Sequence, residues 1–371
     1  MSFAILILAV ICLAYANGAN DNFKGVATLF GSGTTSFKMS VVWATLTTFA
    51  GSLIAVVLAS QLLKNFSGRG LISDDLVSEI RYVSSVAAGA GVTVLIATRL
   101  GMPVSTTHGL VGALVGAGFA AGSDINFGKL GLDFFLPLIV SPIIAVVATC
   151  IVYPTFRFVR SRFGVTRSTC LCVGREIVEV LPANCHETIA LERVEQLTAS
   201  KGTTVTCQER YQGQVVGIEA GKVLDGLHFL SAGIVSFARG LNDTPKIAAL
   251  LLLAPQFGGF GSMAFVGVII AIGGVLSARR IAETMGKKIT PMNPGQGFTA
   301  NLITGVIVVA ASRLGMPVST THVSCGSLFG IGAITRKGDL KTIGKILSAW
   351  VTTLPLGATL GYASFWLLRS L

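Results

Sequence analysis

Two acidic residues differ from the rest because each lies inside a stretch apolar enough to cross a membrane. Asp21 and Asp243 share the pattern Gly-Xaa-Asn-Asp-Xaa-Xaa-Lys, which ends at Lys24 and Lys246. An ionisable side chain is costly to bury in a bilayer, so such residues mark ion or substrate pathways. A salt bridge between Asp21 and Lys24, three residues apart on a helix, is the alternative interpretation. Because the motif recurs beside a glycine-led polar break, we favour a functional site.

Hydroxyl side chains form the second group. Residues 99–108 and 313–322 both read RLGMPVSTTH, ten identical residues 214 positions apart. Proline removes a donor and disfavours helix in the residue before it, so a new helix can start after it. Hydroxyls at that start lie beside free backbone N–H groups, where the helix dipole favours an anion. An ordinary N-cap is the alternative, but two identical copies favour an oxyanion site formed by Ser105, Thr106, Thr107, Ser319, Thr320 and Thr321.

The flanks of this decapeptide are less specific. His108 and His322 can donate to a carbonyl, cap a helix or take part in proton coupling, and we favour the hydrogen-bonded role. Arg99 and Arg313 can pair with acids or anchor the end of a span at the membrane interface. We expect the arginines to be structural.

The composition indicates a membrane protein. Of 371 residues, 52% are hydrophobic and only 12% are charged, against roughly 25% charged in an ordinary soluble protein. The formal charge of +11 resides mainly in short connectors between apolar stretches. That distribution is typical of membrane topology and not of a nucleic-acid-binding face, so we expect no nucleic-acid partner.

Runs long enough to cross about 30 Å of hydrocarbon occur five times on each side of one polar segment. They lie near 2–17, 39–62, 82–99, 103–121 and 134–156, and again near 224–240, 258–278, 297–313, 317–334 and 346–369. Two shorter apolar pieces, 25–36 and 247–257, follow the aspartate motifs. We expect these two pieces to be re-entrant or broken half-helices.

The repeated motifs predict two related halves. An odd number of spans in each half turns the second half over in the membrane, which is the inverted-repeat plan of secondary transporters. The fold class predicted is an all-α polytopic membrane protein with two inverted-topology repeats of about five spans each. Residues 1–160 form the first repeat, 161–221 a small insert and 222–371 the second repeat. Basic residues in the connectors predict a cytoplasmic insert and external termini.

Four cysteines lie in the insert: Cys170, Cys172, Cys185 and Cys207. Their spacing matches no standard zinc finger, and a reducing cytoplasm keeps thiols free. Spacing alone does not decide whether these cysteines are free, paired or metal-bound, but a reducing cytoplasm favours free thiols, and we expect no metal. Strands are expected near 203–207 and 214–218.

These motifs carry a family resemblance. Two Gly-Xaa-Asn-Asp motifs in opposed halves, each followed by Pro-Val-Ser-Thr-Thr-His, resemble the inorganic phosphate transporter family, PiT, whose members move phosphate with sodium or protons. The resemblance covers nearly everything except 165–221. It implies an ion and phosphate site formed with Asn20, Asp21, Asn242 and Asp243, phosphate contacts from the Ser-Thr-Thr hydroxyls, and a homodimer.

One departure concerns the coupling ion. The family's first motif commonly continues as Val-Ala-Asn, with the asparagine at a sodium site, whereas this chain reads Asn22-Phe23-Lys24. Lys246 stands at the matching place in the other half. An ammonium group beside Asp21 competes with sodium for the carboxylate. We therefore expect coupling to H⁺ in preference to Na⁺, with Asp21, Asp243, Lys24 and Lys246 as the ion-coupling residues.

The function predicted is symport of inorganic phosphate across the cell membrane by alternating access, with a cation and no further cofactor. The same machine carrying sulfate is the nearest alternative, since both anions are tetrahedral. An intramembrane enzyme is disfavoured because one catalytic centre gives no reason for duplicated motifs. A channel gives no reason for two midplane carboxylates beside two lysines.

Overall fold

The computed structural model describes residues 2–66, 68, 70–180, 192–211, 215–254 and 257–369. They form two compact units. One comprises Met1–Tyr153 together with His228–Leu371, and the other comprises Pro154–Leu227.

The first half of the larger unit is a series of helices joined by short turns. Its helices are α1 Ser2–Asp21, α2 Ala27–Gly31, α3 Phe37–Leu58, α4 Ser60–Asn65, α5 Asp74–Val77, α6 Ile80–Arg99, α7 Thr106–Ala120, α8 Phe127–Lys129 and, after the π-helical turn Leu130–Phe135, α9 Leu136–Arg162. The last turns of α9 enter the smaller unit.

The smaller unit holds a three-stranded antiparallel sheet in the order β2-β1-β3, formed by β1 Thr169–Val180, β2 Glu192–Thr203 and β3 Val215–Glu219. The expectation of a strand at 203–207 is wrong, because Thr203 and Thr206 form a capping box that starts helix α10, Thr204–Arg210. A hydrogen bond from Arg210 holds the pKa of the Glu176 carboxyl below its usual range.

Two cysteines of this unit form a disulfide. Cys172 and Cys207 are bonded, with their Cα atoms 6.1 Å apart, so the expectation of free thiols is wrong for this pair. Antiparallel pairing of β1 with β2 brings β1 beside the start of α10, a proximity that no sequence spacing predicts. Cys170 is free and buried, and all three sulfur atoms lie within 4.8 Å of one another. Cys185 lies outside the described residues.

The second half is also a series of helices. It contains α11 Ala220–Ala248, the 3₁₀ turn Ala249–Leu251, α12 Gly258–Ser277, α13 Arg279–Glu283, the π-helical turn Thr284–Lys288, α14 Pro294–Arg313, α15 Thr320–Thr335 and α16 Leu340–Arg369. In the described part of the chain, seven helices are long and apolar enough to cross a membrane. The prediction of an all-α polytopic membrane protein is confirmed.

The two short apolar pieces are not the half-helices that we expected. Residues 25–36 contain only the five-residue α2, and the described part of the second piece, 247–254 and 257, contains the end of α11 and a 3₁₀ turn of three residues. The first piece reverses at Gly33, whose φ of 73° suits a residue without a Cβ. The helices that start within the bundle are α7 and α15, which follow extended segments at the two Met-Pro-Val sequences, and this confirms the predicted helix breaks.

Glycines determine how closely α7 approaches α16. A Cβ added at Gly112 or Gly116 would collide with the backbone carbonyl of Leu354 or Ala358, respectively. In a membrane, small residues let helices pack by close backbone contact. These glycines therefore fix the position of α7, whose first turn carries the hydroxyl motif.

Substituting Gly116→Ala should destabilise the protein by about 1–3 kcal/mol, since the added methyl group must force two backbones apart. Gly344 is the matched control because it is also helical and a Cβ there meets nothing within 4 Å. Gly344→Ala should raise stability by roughly 0.5–1 kcal/mol. Thermal unfolding of both variants in detergent measures the difference. Equal unfolding temperatures would contradict the packing argument.

Candidate functional site

The aspartate motifs and the hydroxyl motifs meet inside the bundle. Asp21 ends α1 and Asp243 lies near the end of α11, while Thr106 and Thr320 begin α7 and α15. The structure brings all twelve predicted site residues into this region, and none is more than 4% exposed: Asn20, Asp21, Lys24, Ser105, Thr106, Thr107, Asn242, Asp243, Lys246, Ser319, Thr320 and Thr321. The site is closed to water in this conformation.

The Asp21 carboxylate accepts three hydrogen bonds. Its Oδ1 accepts a hydrogen bond from the Lys24 ammonium, and its Oδ2 accepts from Asn17 Nδ2 and Thr106 Oγ1, each at 2.9 Å. A sodium ion bound at Asp21 would compete with these donors, and the positive charge of Lys24 would oppose it most strongly.

The Asp243 carboxylate has a similar set of partners. Its Oδ1 accepts from Asn242 Nδ2 at 2.9 Å and from Lys246 Nζ at 3.4 Å. Its Oδ2 accepts from Thr320 Oγ1 at 3.3 Å. Each half therefore places a carboxylate between its own lysine and the first threonine of its own hydroxyl motif.

Each lysine reaches across to the other half. Lys24 Nζ donates to Thr321 Oγ1 at 2.5 Å, and Lys246 Nζ donates to Thr107 Oγ1 at 2.9 Å. Each ammonium also donates to the carbonyl of the valine in its own half, Val104 at 2.7 Å or Val318 at 2.8 Å. These contacts are reciprocal, so the two halves share one polar site.

The two asparagines hold the extended segments before the half-helices. Asn20 Nδ2 donates to Thr98 Oγ1 at 2.9 Å and to the Met102 carbonyl at 3.1 Å, while Asn20 Oδ1 accepts from Val104 N. Asn242 Nδ2 likewise donates to the Val318 carbonyl at 3.2 Å. In this conformation both side chains position the hydroxyl motifs, and a phosphate contact from either remains a prediction.

The two serines are N-caps. Ser105 Oγ accepts from His108 N and Ser319 Oγ accepts from His322 N, both at 3.2 Å. The cap satisfies one backbone donor and leaves the positive end of each helix directed at the carboxylates and lysines. The arrangement matches an ordinary cap and is also the geometry of an anion-binding helix start.

The paired histidines have the hydrogen-bonded role that we favoured. His108 Nδ1 lies 3.2 Å from the Trp350 carbonyl, and His322 Nδ1 lies 3.2 Å from the Leu138 carbonyl. The two rings meet edge to face at 4.5 Å, and Trp350 stacks on His322 at 3.8 Å. Trp350 Nε1 donates to the Pro103 carbonyl at 3.0 Å. The cluster supports the start of both half-helices.

Arg239 is a site residue that the sequence interpretation missed. It is fully buried, and its guanidinium donates to Asn17 Oδ1 at 3.0 Å and to Asn22 Oδ1 at 3.3 Å. Its Nε lies 3.9 Å from Asp243 Oδ2 and has no hydrogen-bond partner among the described residues. The sequence did contain a signal for Arg239, because it is a basic residue inside a predicted span and lies four residues before Asp243.

Formal charge at the site is positive. Three buried cations, Arg239, Lys24 and Lys246, stand against two carboxylates, Asp21 and Asp243, which leaves one positive charge in excess. An excess of positive charge in a buried site favours an anion, and it disfavours binding of a free cation without one.

Comparison with known proteins agrees with this chemistry, because the sequence profile described as "Phosphate transporter family" matches residues 17–361. The chain belongs to the phosphate transporter family. The inorganic phosphate transporter 2-1, chloroplastic, of Arabidopsis thaliana is 27% identical over 99% of this chain and 72% of its own length. A probable low-affinity inorganic phosphate transporter of Mycobacterium leprae is 26% identical over 99% of this chain and 78% of its own length.

The fold of this family member is also found in a solved structure. A protein titled "The sodium-dependent phosphate transporter" superposes with a TM-score of 0.74 over 99% of this chain and all of the solved chain, at 21% identity. At that identity the likeness shows a shared fold, and the ion requirement belongs to the solved protein's title alone.

Substituting Arg239→Gln should weaken phosphate binding by about thirtyfold or more, since loss of a buried hydrogen-bonded charge costs roughly 2–5 kcal/mol. Arg239→Lys, which keeps the charge, should recover part of the affinity. Binding of radiolabelled phosphate to purified, monodisperse protein measures both effects. The exposed Lys341 supplies the control, because Lys341→Gln removes one positive charge outside the site. A loss of affinity equal to that of the control would show that Arg239 does not act on the substrate.

Proposed function

We propose that this transporter is a secondary active symporter that carries inorganic phosphate by alternating access. The reciprocal reach of Lys24 and Lys246 to the threonines of the opposite halves carries the proposal. These contacts make one closed site from both halves, with donors and positive charge suited to a tetrahedral oxyanion.

Opening the site requires breaking these lysine–threonine contacts. If the halves are inverted in the membrane, relative movement of α7 against α15 exposes the site to one side at a time. The phosphate oxygens would then take the place of the threonine oxygens as acceptors for the two ammonium groups. Substrate binding and closure would be coupled because phosphate contacts donors from both halves.

We further propose proton coupling. The Asp21 oxygens accept hydrogen bonds from Lys24, Asn17 and Thr106, and the excess positive charge includes Arg239. A proton must also compete with these donors, which favour the ionised carboxylate, but it needs only one lone pair of one oxygen, whereas sodium needs several oxygen ligands. Proton coupling therefore fits the occupied carboxylates better than sodium coupling does.

Proteoliposome uptake tests the coupling ion. We expect a proton gradient to stimulate phosphate uptake and a sodium gradient alone to have little effect. Lys24→Asn, which frees one Asp21 oxygen, should lower proton-driven uptake and make uptake more responsive to sodium. Lys341→Gln serves as the control for loss of charge. Strict sodium stimulation of the unsubstituted protein, with none by protons, would overturn the proton proposal.

Sulfate is the second candidate substrate, because it is tetrahedral and accepts the same hydrogen bonds. Phosphate keeps a proton at neutral pH that a carboxylate such as Asp21 or Asp243 can accept, whereas sulfate has none to donate. We expect a hundredfold excess of sulfate to inhibit labelled phosphate uptake by less than about half, which corresponds to a difference of roughly 2.7 kcal/mol or more in binding. Complete inhibition at equal concentrations would assign the protein to a broader oxyanion class.

We propose the cell membrane as its location, a cytoplasmic insert, a homodimeric assembly and no enzymatic activity. The basic connectors support the orientation. Within the insert, Cys172 and Cys207 are buried, so a cytoplasmic reductant would reach their disulfide only after the sheet opens. The phosphate transporter family supports a carrier in place of a catalyst.

A further inference from the structure

Two cavities of about 410 and 710 Å³ flank the end of helix α6. Arg99, Arg280 and Glu283 line both cavities. We call the first cavity the basic vestibule; the remaining residues that line it are Leu100, Gly101, Met102, Thr284, Lys288, Thr342, Lys345 and Ile346.

Positive side chains dominate the basic vestibule. Arg99, Arg280, Lys288 and Lys345 line it, and Glu283 is its one acid. The four cations come from three separate segments, and all four are exposed. Charges of one sign around a concave surface focus the field and raise the local concentration of an oppositely charged solute.

Both cavities reach the residues that hold Asn20. Met102 lines the basic vestibule and Thr98 lines the second cavity. The carbonyl of Met102 and the hydroxyl of Thr98 accept the two hydrogen bonds donated by Asn20. Asn20 is buried next to Asp21, so the vestibule ends one side chain away from the closed site.

The other copy of the decapeptide has different surroundings. At the first copy, Thr284 Oγ1 donates to the Gly101 carbonyl at 2.9 Å and Arg280 donates to the Arg99 carbonyl. At the second copy, Asn65 Nδ2 donates to the Gly315 carbonyl at 2.9 Å. Because the decapeptides are identical, the difference in charge comes from the segments that pack against them. Residues 279–288 contain four basic residues, whereas 60–65 contain one.

We propose that the basic vestibule is a second, solvent-facing oxyanion site that holds phosphate on its way to or from the buried site, and that the described residues around the second decapeptide form no equivalent site. This inference rests on the proposed phosphate transport. The chemistry recognised is a hydrated phosphate group, and the phosphate headgroup of an anionic lipid presents the same chemistry.

The repeat offers a matched pair of probe positions for the local charge. Leu100 and Leu314 occupy the same place in the two decapeptides, and each is 69% exposed. We would prepare Leu100→Cys and Leu314→Cys in nanodiscs of zwitterionic lipid, where both faces are open to reagent. The measurement is the ratio of the modification rates by an anionic and a cationic methanethiosulfonate of similar size. The unsubstituted protein supplies the background from its native thiols.

The anionic-to-cationic rate ratio should be severalfold higher at position 100 than at position 314. Adding Arg280→Gln or Lys345→Gln should lower the ratio at position 100, whereas Lys341→Gln, one helical turn from Lys345 and outside the vestibule lining, should leave it unchanged. Millimolar inorganic phosphate should slow modification at position 100 and not at position 314. Equal ratios at the two positions, or equal effects of the three charge substitutions, would overturn the proposal.

Lipid composition separates the two sources of phosphate. Protection by inorganic phosphate in purely zwitterionic nanodiscs supports the transit site. If phosphate gives no protection and only added phosphatidylglycerol protects position 100, the vestibule is a lipid headgroup site and the transit proposal is wrong. Uptake assays are independent of this labelling. Failure of phosphate uptake together with phosphate protection would refute the proposed transport while leaving an oxyanion site in place.

Discussion

The buried exchange of lysines between the two halves is the interaction on which the rest of the structure depends. Lys24 and Lys246 are each held by an aspartate three residues earlier and by a threonine from the other half. Removing two ammonium groups and two carboxylates from water is costly, and that cost is offset only when every charge has a partner of good geometry. The break at Met-Pro-Val, the serine caps and the glycine contacts of α7 all place those partners.

The same energetics link substrate binding to movement. In the proposed alternating-access cycle the halves separate, and each lysine then loses a threonine hydroxyl and needs another acceptor, since an unpartnered buried charge costs several kcal/mol. Phosphate oxygens can provide acceptors for both lysines at once. Both lysines would then have acceptors in the closed site, whether or not phosphate is bound. If one half moved away without phosphate, each lysine would lack an acceptor. In that proposed cycle the conformational change would depend on the exchange of acceptors and would need no separate latch.

Local rules made part of this structure predictable. The starts of α7 and α15 follow from a proline, an extended segment and a capping serine, all within a few residues of sequence. The half-helices expected at 25–36 and 247–257 were wrong because apolar length alone does not distinguish a helix from a short turn packed in the core. The bond between Cys172 and Cys207 depends on strand pairing across a long segment, which local spacing does not reveal.

Arg239 was missed for another reason. The motif offset pairs it with Asn17, so a search for repeated residues passes over it, although the two side chains are hydrogen-bonded.

Charged residues that the repeat does not duplicate thus occur in two places. Arg239 lies in the buried site, and the vestibule cations lie around the end of α6. A fixed charge changes affinity, but it cannot by itself drive net transport, because the binding energy gained on entering a site is lost again on leaving it. In the proposed symport, direction would come from the gradient of the coupled ion. Arg239 lies in the shared site, so its charge would act on phosphate whichever side was open. The vestibule cations lie at one end, so they can alter the rate and the concentration range of exchange on that side alone. The repeated motifs therefore provide the common site, and in the proposed cycle the unrepeated charges would make its two routes different.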